Sequence, residues 1–335
     1  MSRAPLALTL GDPAGIGPEI TVKAWRALRR EGPTFMVIGD ARTLESAPGG
    51  AIPVRAVSGA SEAAEVFGDA LPVLDLPLPV PAAPGGPDAR MAPSIIRWIE
   101  TAVDLALSGE VSGLVTAPIA KAPLYEAGFR FPGHTEFLGE LTSKVAFAGV
   151  RGPVMMLAAG DLRTTLVTIH EPLARVSGLL NGDLIARTVR ITAESLVRDF
   201  GIARPRLALA GLNPHAGESG AIGREEIEII APAAEALRAE GLDLRGPLPA
   251  DTLFHADARA TYDAVICLYH DQALIPVKML DFWGGVNISL GLPIVRTSPD
   301  HGVGYDIAGK GVARADSLIA AVRLAAQISD QRAAR

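Results

Sequence analysis

The chain alternates between short apolar runs and longer stretches whose apolar positions recur at helical spacing. The first pattern predicts buried strands and the second amphipathic helices. Strands are expected at Leu6–Leu10, Phe35–Ile38, Ile52–Val54, Leu114–Thr116, Val154–Ala158, Thr164–Ile169, Leu207–Ala210 and Val265–Leu268. Helices are expected from Pro18 to about Arg30, from Ser94 to about Leu107, after Gly133-His134-Thr135-Glu136, from Asp183 to Phe200, from Glu225 to Glu240 with a break at Pro232, and from Asp316 onward. Ser94 and Thr135 stand where N-caps are expected, Pro18 suits a first helical turn, and Glu19 complements the positive end of that helix. Pro77 to Pro87 reads as a surface connection. Strand and helix alternate throughout, which predicts an α/β fold with a largely parallel sheet and helices on both faces.

At 335 residues the chain exceeds the usual single core, so two domains or one large α/β unit are expected. The net charge of −6 argues against a nucleic-acid surface, which needs a basic stripe to neutralise phosphates. Mean hydropathy is positive, +0.28, yet charged residues, Gly or Pro interrupt every apolar run short of the roughly 18 residues that span a bilayer. Met1-Ser2-Arg3-Ala4-Pro5 meets Gly11-Asp12-Pro13 too soon for a leader, and the lone Cys267 excludes an intrachain disulfide, which points to the cytoplasm.

Three strand-like runs end in histidine: His170, His215 and His270. A parallel sheet delivers all three to one edge, and three imidazoles with a vacant position are the ligand set of a catalytic divalent metal. Read singly, each is equally a hydrogen-bonded loop histidine, and the wide spacing is a weaker signal than a compact motif. Asp251, Asp271 and Glu218 stand near enough in sequence to orient the ligands or join them. Lys278, Asn287 and Arg296, beside Ser289, Thr297 and Ser298, form a reasonable cradle for phosphate or carboxylate. The turn Gly11-Asp12-Pro13-Ala14-Gly15-Ile16-Gly17-Pro18-Glu19 lacks the dinucleotide-binding glycine spacing, although its glycines admit close backbone approach by a ligand. The glycine-rich stretch Ser298–Gly311 reads either as a loop that wraps a ligand or as a long surface turn.

Gly11–Glu19, Gly133-His134-Thr135-Glu136, Asn213-Pro214-His215-Ala216-Gly217-Glu218, Tyr269-His270-Asp271-Gln272 and Ser298-Pro299-Asp300-His301-Gly302 together resemble the 4-hydroxythreonine-4-phosphate dehydrogenase family of vitamin B6 biosynthesis. Gly15–Glu19 and Asp306-Ile307-Ala308-Gly309-Lys310-Gly311 also resemble the wider isocitrate and isopropylmalate dehydrogenase superfamily. The resemblance implies two α/β/α domains around a cleft, residues 1–125 with 290–335 on the cofactor side and 126–289 for metal, substrate and dimerisation. It assigns His170, His215 and His270 to one divalent metal (zinc, cobalt or magnesium). It assigns His134, Thr135, Lys278, Asn287 and Arg296 to a phosphorylated substrate, and Asp12, Gly15, Gly17 and Asp306 to NAD or NADP. The implied protein is a homodimer with its active site at the subunit interface and metal ligands from both chains. Glu171, beside His170, departs from the neutral residue expected there.

The implied reaction is NAD(P)-dependent oxidation of 4-phosphooxy-threonine followed by loss of CO2. Lys278 is the candidate for proton handling and Asp251 the second choice. Related readings are oxidation of a phosphorylated threonate or erythronate, or of a dihydrodiol dicarboxylate. From other classes, a metal-dependent phosphoester hydrolase fits the histidines but not the 306–311 loop, and a metal-stabilised binding protein would show neither turnover nor cofactor affinity.

Overall fold

The computed structural model describes residues 4–335; Met1, Ser2 and Arg3, the start of the stretch read against a leader, lie outside the described residues. The strands in chain order are β1 (Leu6–Thr9), β2 (Phe35–Gly39), β3 (Val54–Ala56), β4 (Leu71–Asp75), β5 (Leu114–Thr116), β6 (Val154–Ala159), β7 (Leu162–Leu166), β8 (Arg206–Ala210), β9 (Asp243–Leu248), β10 (Ala264–Cys267), β11 (Val286–Leu290) and β12 (Arg296–Pro299). They fall into two compact units, one taking the chain up to Val145 together with Pro293–Ala333, the other Ala146–Leu292 with the last two residues. Among the described residues no helix is long and apolar enough to cross a membrane.

In the first unit the strand order is β3-β4-β2-β1-β5-β12, every neighbour parallel. Its inner strands β1, β2 and β5 are largely apolar and buried along their length, as a helix-covered parallel sheet requires. Trp25 and Trp98 anchor the covering helices: both are fully buried, and their indole N–H groups donate to Phe67 O and Leu76 O at 2.9 Å. The helix Gly17–Leu28 opens with Pro18 in its first turn, as expected. Glu19, however, does more than face the helix dipole. It is buried and accepts from Ala313 N at 2.8 Å, Gly311 N at 3.2 Å and Lys23 Nζ at 2.7 Å.

Two capping expectations are corrected. The helix Ala92–Ser108 starts ahead of Ser94, because Pro93 occupies its first turn and a 3₁₀ turn leads in; Ser94 lies inside. The helix His134–Leu141 begins after Gly133, so Thr135 also lies inside. Residues 126–145 pack in this first unit rather than in the second, with Phe129, Phe131 and Phe137 in mutual ring contact at centroid distances of 5.1–5.4 Å.

In the second unit the order is β11-β6-β7-β10-β8-β9. β7, β10, β8 and β9 are mutually parallel, but β6 runs antiparallel to both β7 and β11. Strand and helix therefore do not alternate throughout: Gly160-Asp161 joins β6 to β7 directly, with Gly160 at φ 55, a two-residue hairpin loop. The core of this unit includes Met155, Leu157, Leu166, Val265, Cys267, Ala273 and Val277. Cys267, at the centre of the sheet, is fully buried, and burial pushes its thiol far up.

Candidate active site

β7, β10 and β8 lie side by side and parallel, in the order that places β10 between the other two. His170, His270 and His215 follow their C-terminal ends and so stand along one edge of the second unit. Beyond the last ladder rungs, side chains hold the strand ends together. Thr168 Oγ1 donates to Leu268 O at 2.7 Å, reinforcing Thr168 N→Leu268 O at 3.2 Å. Gln272 is buried and bridges the other side: its Oε1 accepts from Leu268 N at 2.7 Å and its Nε2 donates to Gly211 O at 2.8 Å. These bonds satisfy backbone groups that the splaying strands leave unpaired.

The rings of His170 and His270 are neighbours, centroids 5.7 Å apart, beside a cavity of about 270 Å³ that Glu171, Leu173, Val176, Tyr269 and Asp271 also line. His270 Nδ1 lies 2.7 Å from Asp271 Oδ1. With that nitrogen engaged, Nε2 is the one left for an ion, an arrangement in which a carboxylate fixes the tautomer of a ligating imidazole. The donor chemistry therefore fits a divalent metal. His215 stands exposed on its own loop, and among the described residues no group of three or more His, Cys, Asp or Glu is drawn together to hold an ion. Glu171 turns toward Arg175, at 3.6 Å.

Helix His270–Leu280 carries Lys278, half-buried, with Nζ 5.1 Å from the Phe282 ring centroid. Asp251 is exposed on the 3₁₀ turn Ala250–Thr252 and lines a second cavity of about 560 Å³ with Phe254, His255, Arg259, Tyr269 and Asp271. Asn287, on β11, has a buried Oδ1 with no hydrogen-bond partner. Such a group is costly unless a ligand completes it.

The first unit holds the remaining substrate candidates. Arg296 is 3% exposed, so it is no solvated surface charge; its Nη2 donates to Thr116 Oγ1 at 2.7 Å. Burial pushes its guanidinium down to about 10, against the opposing pull of Glu136. His134 Nε2 is enclosed without a partner. Desolvation first, then the positive charge of Arg296, hold this imidazole well below 6.5 and hence neutral near pH 7. Thr135 is buried beside it in sequence. A buried guanidinium beside a neutral imidazole with an unfilled nitrogen offers donors suited to an anionic group of a ligand.

The cofactor candidates lie in the first unit too. Asp12 is 2% exposed; it accepts from Ala14 N at 2.9 Å and from the hydroxyl of Tyr305. Its carboxyl is raised above the usual range because desolvation outweighs both hydrogen bonds. Gly15 and Gly17 are glycines for packing within the chain: an added Cβ meets Val303 O at 2.6 Å and Leu10 O at 2.4 Å respectively. Ile16 N→Val303 O at 2.8 Å ties the two loops together, while Asp306 is exposed. Lys23 Nζ donates to Gly311 O at 2.9 Å and Ala313 O at 2.7 Å, so the far end of the glycine-rich loop is clipped by the Glu19–Lys23 pair. Sequence reasoning gave no role to Thr168, Gln272 or the Glu19–Lys23 clip, because each acts at least in part on a backbone group distant in the chain.

The chain is 69% identical to 4-hydroxythreonine-4-phosphate dehydrogenase of Caulobacter vibrioides over 332 residues, 99% of each chain. The crystal structure of 4-hydroxythreonine-4-phosphate dehydrogenase from Klebsiella pneumoniae superimposes with a TM-score of 0.85 at 39% identity, covering 97% of this chain and 99% of that one. A terephthalate 1,2-cis-dihydrodiol dehydrogenase from Burkholderia xenovorans follows at 0.63 and 30%, covering 97% and 98%. The fold and these relatives define an oxidoreductase of the α/β dehydrogenase class. Within that class, the chain belongs to the family described as Pyridoxal phosphate biosynthetic protein PdxA, whose profile matches residues 31–325.

Proposed function

We propose that the chain oxidises 4-phosphooxy-L-threonine with NAD or NADP to 2-amino-3-oxo-4-phosphooxybutanoate, which loses CO2 to give 3-amino-2-oxopropyl phosphate, a step of pyridoxal 5'-phosphate biosynthesis. The observation that carries this reading is the buried Arg296 beside neutral His134, a guanidinium fork and an unfilled nitrogen that suit a phosphate. Arg296 offers a fork to the phosphate, His134 and Thr135 add neutral contacts, and Asn287 orients the substrate through its unfilled oxygen. His170, His215 and His270 are the residues that would hold a divalent metal, which supplies Lewis acidity to the C3 hydroxyl when bound. Asp12, Gly15, Gly17 and Asp306 are the residues that would hold NAD or NADP, which would supply the hydride acceptor for C3 when bound. Lys278 receives the C3 hydroxyl proton, with Asp251 the second candidate. The working form is a homodimer in the cytoplasm, with metal ligands from both chains.

The likeness to a dihydrodiol dehydrogenase supports a second reading, oxidation of an unphosphorylated dihydrodiol dicarboxylate. The test is NAD(P)H absorbance with 4-phosphooxy-threonine, before and after chelation and with metal restored. Turnover lost on chelation and regained with metal is expected. Turnover only with the dihydrodiol, or only with a phosphorylated threonate, moves the chain to another substrate; silence with all of them overturns the dehydrogenase assignment.

A further inference from the structure

We propose that Glu226 is the positioning residue that aims His215 at the metal, a role that rests on the metal reading above. His215 sits in an unusual piece of backbone. His215, Ala216, Gly217, Glu218 and Ser219 all have positive φ, at 53, 49, 79, 42 and 58, so the segment is a short left-handed helical turn. Four of the five carry side chains, and each such residue meets its own carbonyl too closely in this conformation. Strain of this kind persists only where the surroundings over-determine it.

The bonds within the turn, Ala216 N→Asn213 O at 3.1 Å, Ala221 N→Glu218 O and Ile222 N→Gly217 O, both at 3.2 Å, shape it but do not fix its direction. Glu226 supplies the external hold. Its carboxylate is buried at the start of the π turn Glu226–Ile230. Oε1 accepts from Leu212 N and Asn213 N, both at 2.8 Å, and Oε2 accepts from Asn213 Nδ2 at 2.9 Å. The turn closes over the same group: a Cβ at Gly217 would stand 2.7 Å from Oε2, and one at Gly211 3.3 Å from Oε1. The two amides that Glu226 grips lie immediately before the turn, so they set the direction in which it leaves β8 and hence where the imidazole points. Charge-assisted bonds suit this task because they are short and directional. A π turn in this place fits a pattern in which such irregularities accompany functional sites.

The test is cobalt(II) titration of the full-length, metal-free protein, followed by the visible d–d spectrum of the ion, in wild type, Glu226→Gln, Asn213→Ala and His215→Ala. Glu226→Gln keeps shape and length but sets an NH2 against a donor. It is expected to weaken cobalt binding by about 10- to 100-fold, as loss of a group that orients a ligand does, and to shift the bands. Asn213→Ala, which removes the side-chain bonds to Glu226 and Glu225 but leaves both backbone amides on Glu226, is expected to give a smaller loss with the same spectral change, and carries the test should Glu226→Gln fold poorly. Wild-type spectra and affinity in both variants overturn the positioning role. A drop in the metal-free midpoint with an unaltered cobalt spectrum overturns it too, leaving Glu226 merely structural. Cobalt binding that is absent in wild type, or identical in His215→Ala, overturns the metal reading itself and this inference with it.

Discussion

The neutral His134 makes a quantitative prediction about acid stability. Its pKa in the folded protein lies well below 6.5, chiefly through desolvation and secondarily through Arg296. The unfolded chain therefore takes up this proton first, so stability is full above the unfolded pKa and is lost as pH falls below it toward the folded value. With an unfolded pKa of about 6.5 and a native imidazole that stays neutral, lowering the pH from 6 to 5 costs about 1.2 kcal/mol at most. The raised carboxyl of Asp12 acts in the opposite direction, but it is common to wild type and variant and cancels in their comparison. The assay is urea unfolding at pH 7, 6 and 5, read by the emission of Trp25 and Trp98, both fully buried in the unit that holds His134. His134→Gln, which fills the same space without titrating, is expected to remove this increment. An acid slope that is the same in wild type and variant refutes the reasoning.

Gln272→Leu strands a buried amide and a buried carbonyl, Leu268 N and Gly211 O, and is expected to lower the stability of the second unit by about 2–5 kcal/mol; a loss below about 1 kcal/mol in denaturant unfolding followed by circular dichroism contradicts the bridging role. Lys278→Met is expected to fold normally and to lose about 100-fold or more in turnover, the scale of general acid–base catalysis; unchanged kcat with a raised KM makes Lys278 a residue that only binds.

What could be read in the sequence follows from how local each signal is. The runs Thr164–Ile169, Leu207–Ala210 and Val265–Leu268 announce themselves as buried strands, and their parallel pairing in the structure puts the three histidines on one edge. β4 escaped notice because Pro72 interrupts Leu71–Asp75, and a proline inside a run argues against an interior strand. β9 escaped because Asp243, Arg245 and Gly246-Pro247 leave little apolar alternation to see. The hairpin between β6 and β7 had a usable signal in Gly160-Asp161, passed over in favour of a uniform alternation. The left-handed turn at His215 had little, since Gly217 marks one such position but Ala216, Glu218 and Ser219 carry no preference for positive φ. A carboxylate eleven positions further on, Glu226, grips the two amides of Leu212 and Asn213 ahead of it.

The division of the chain has a consequence for how it emerges from a ribosome. The first unit is completed by residues from the end of the sequence: β12 adds beside β5, and helix Asp316–Ala333 lies against β12, with Thr297 Oγ1 donating to Ala321 O at 2.8 Å. The second unit is essentially one uninterrupted run from Ala146 to Leu292. At about 5–20 residues per second, some 10–40 s separate Val145 from Ala333 during synthesis. The edge of β5 waits without its neighbour until β12 is made, and by then the second unit, whose last strand ends at Leu290, already has every strand it needs. The unit translated second thus has its strands complete before the first unit does, and the opening strands form a nascent sheet with one open edge until β12 arrives.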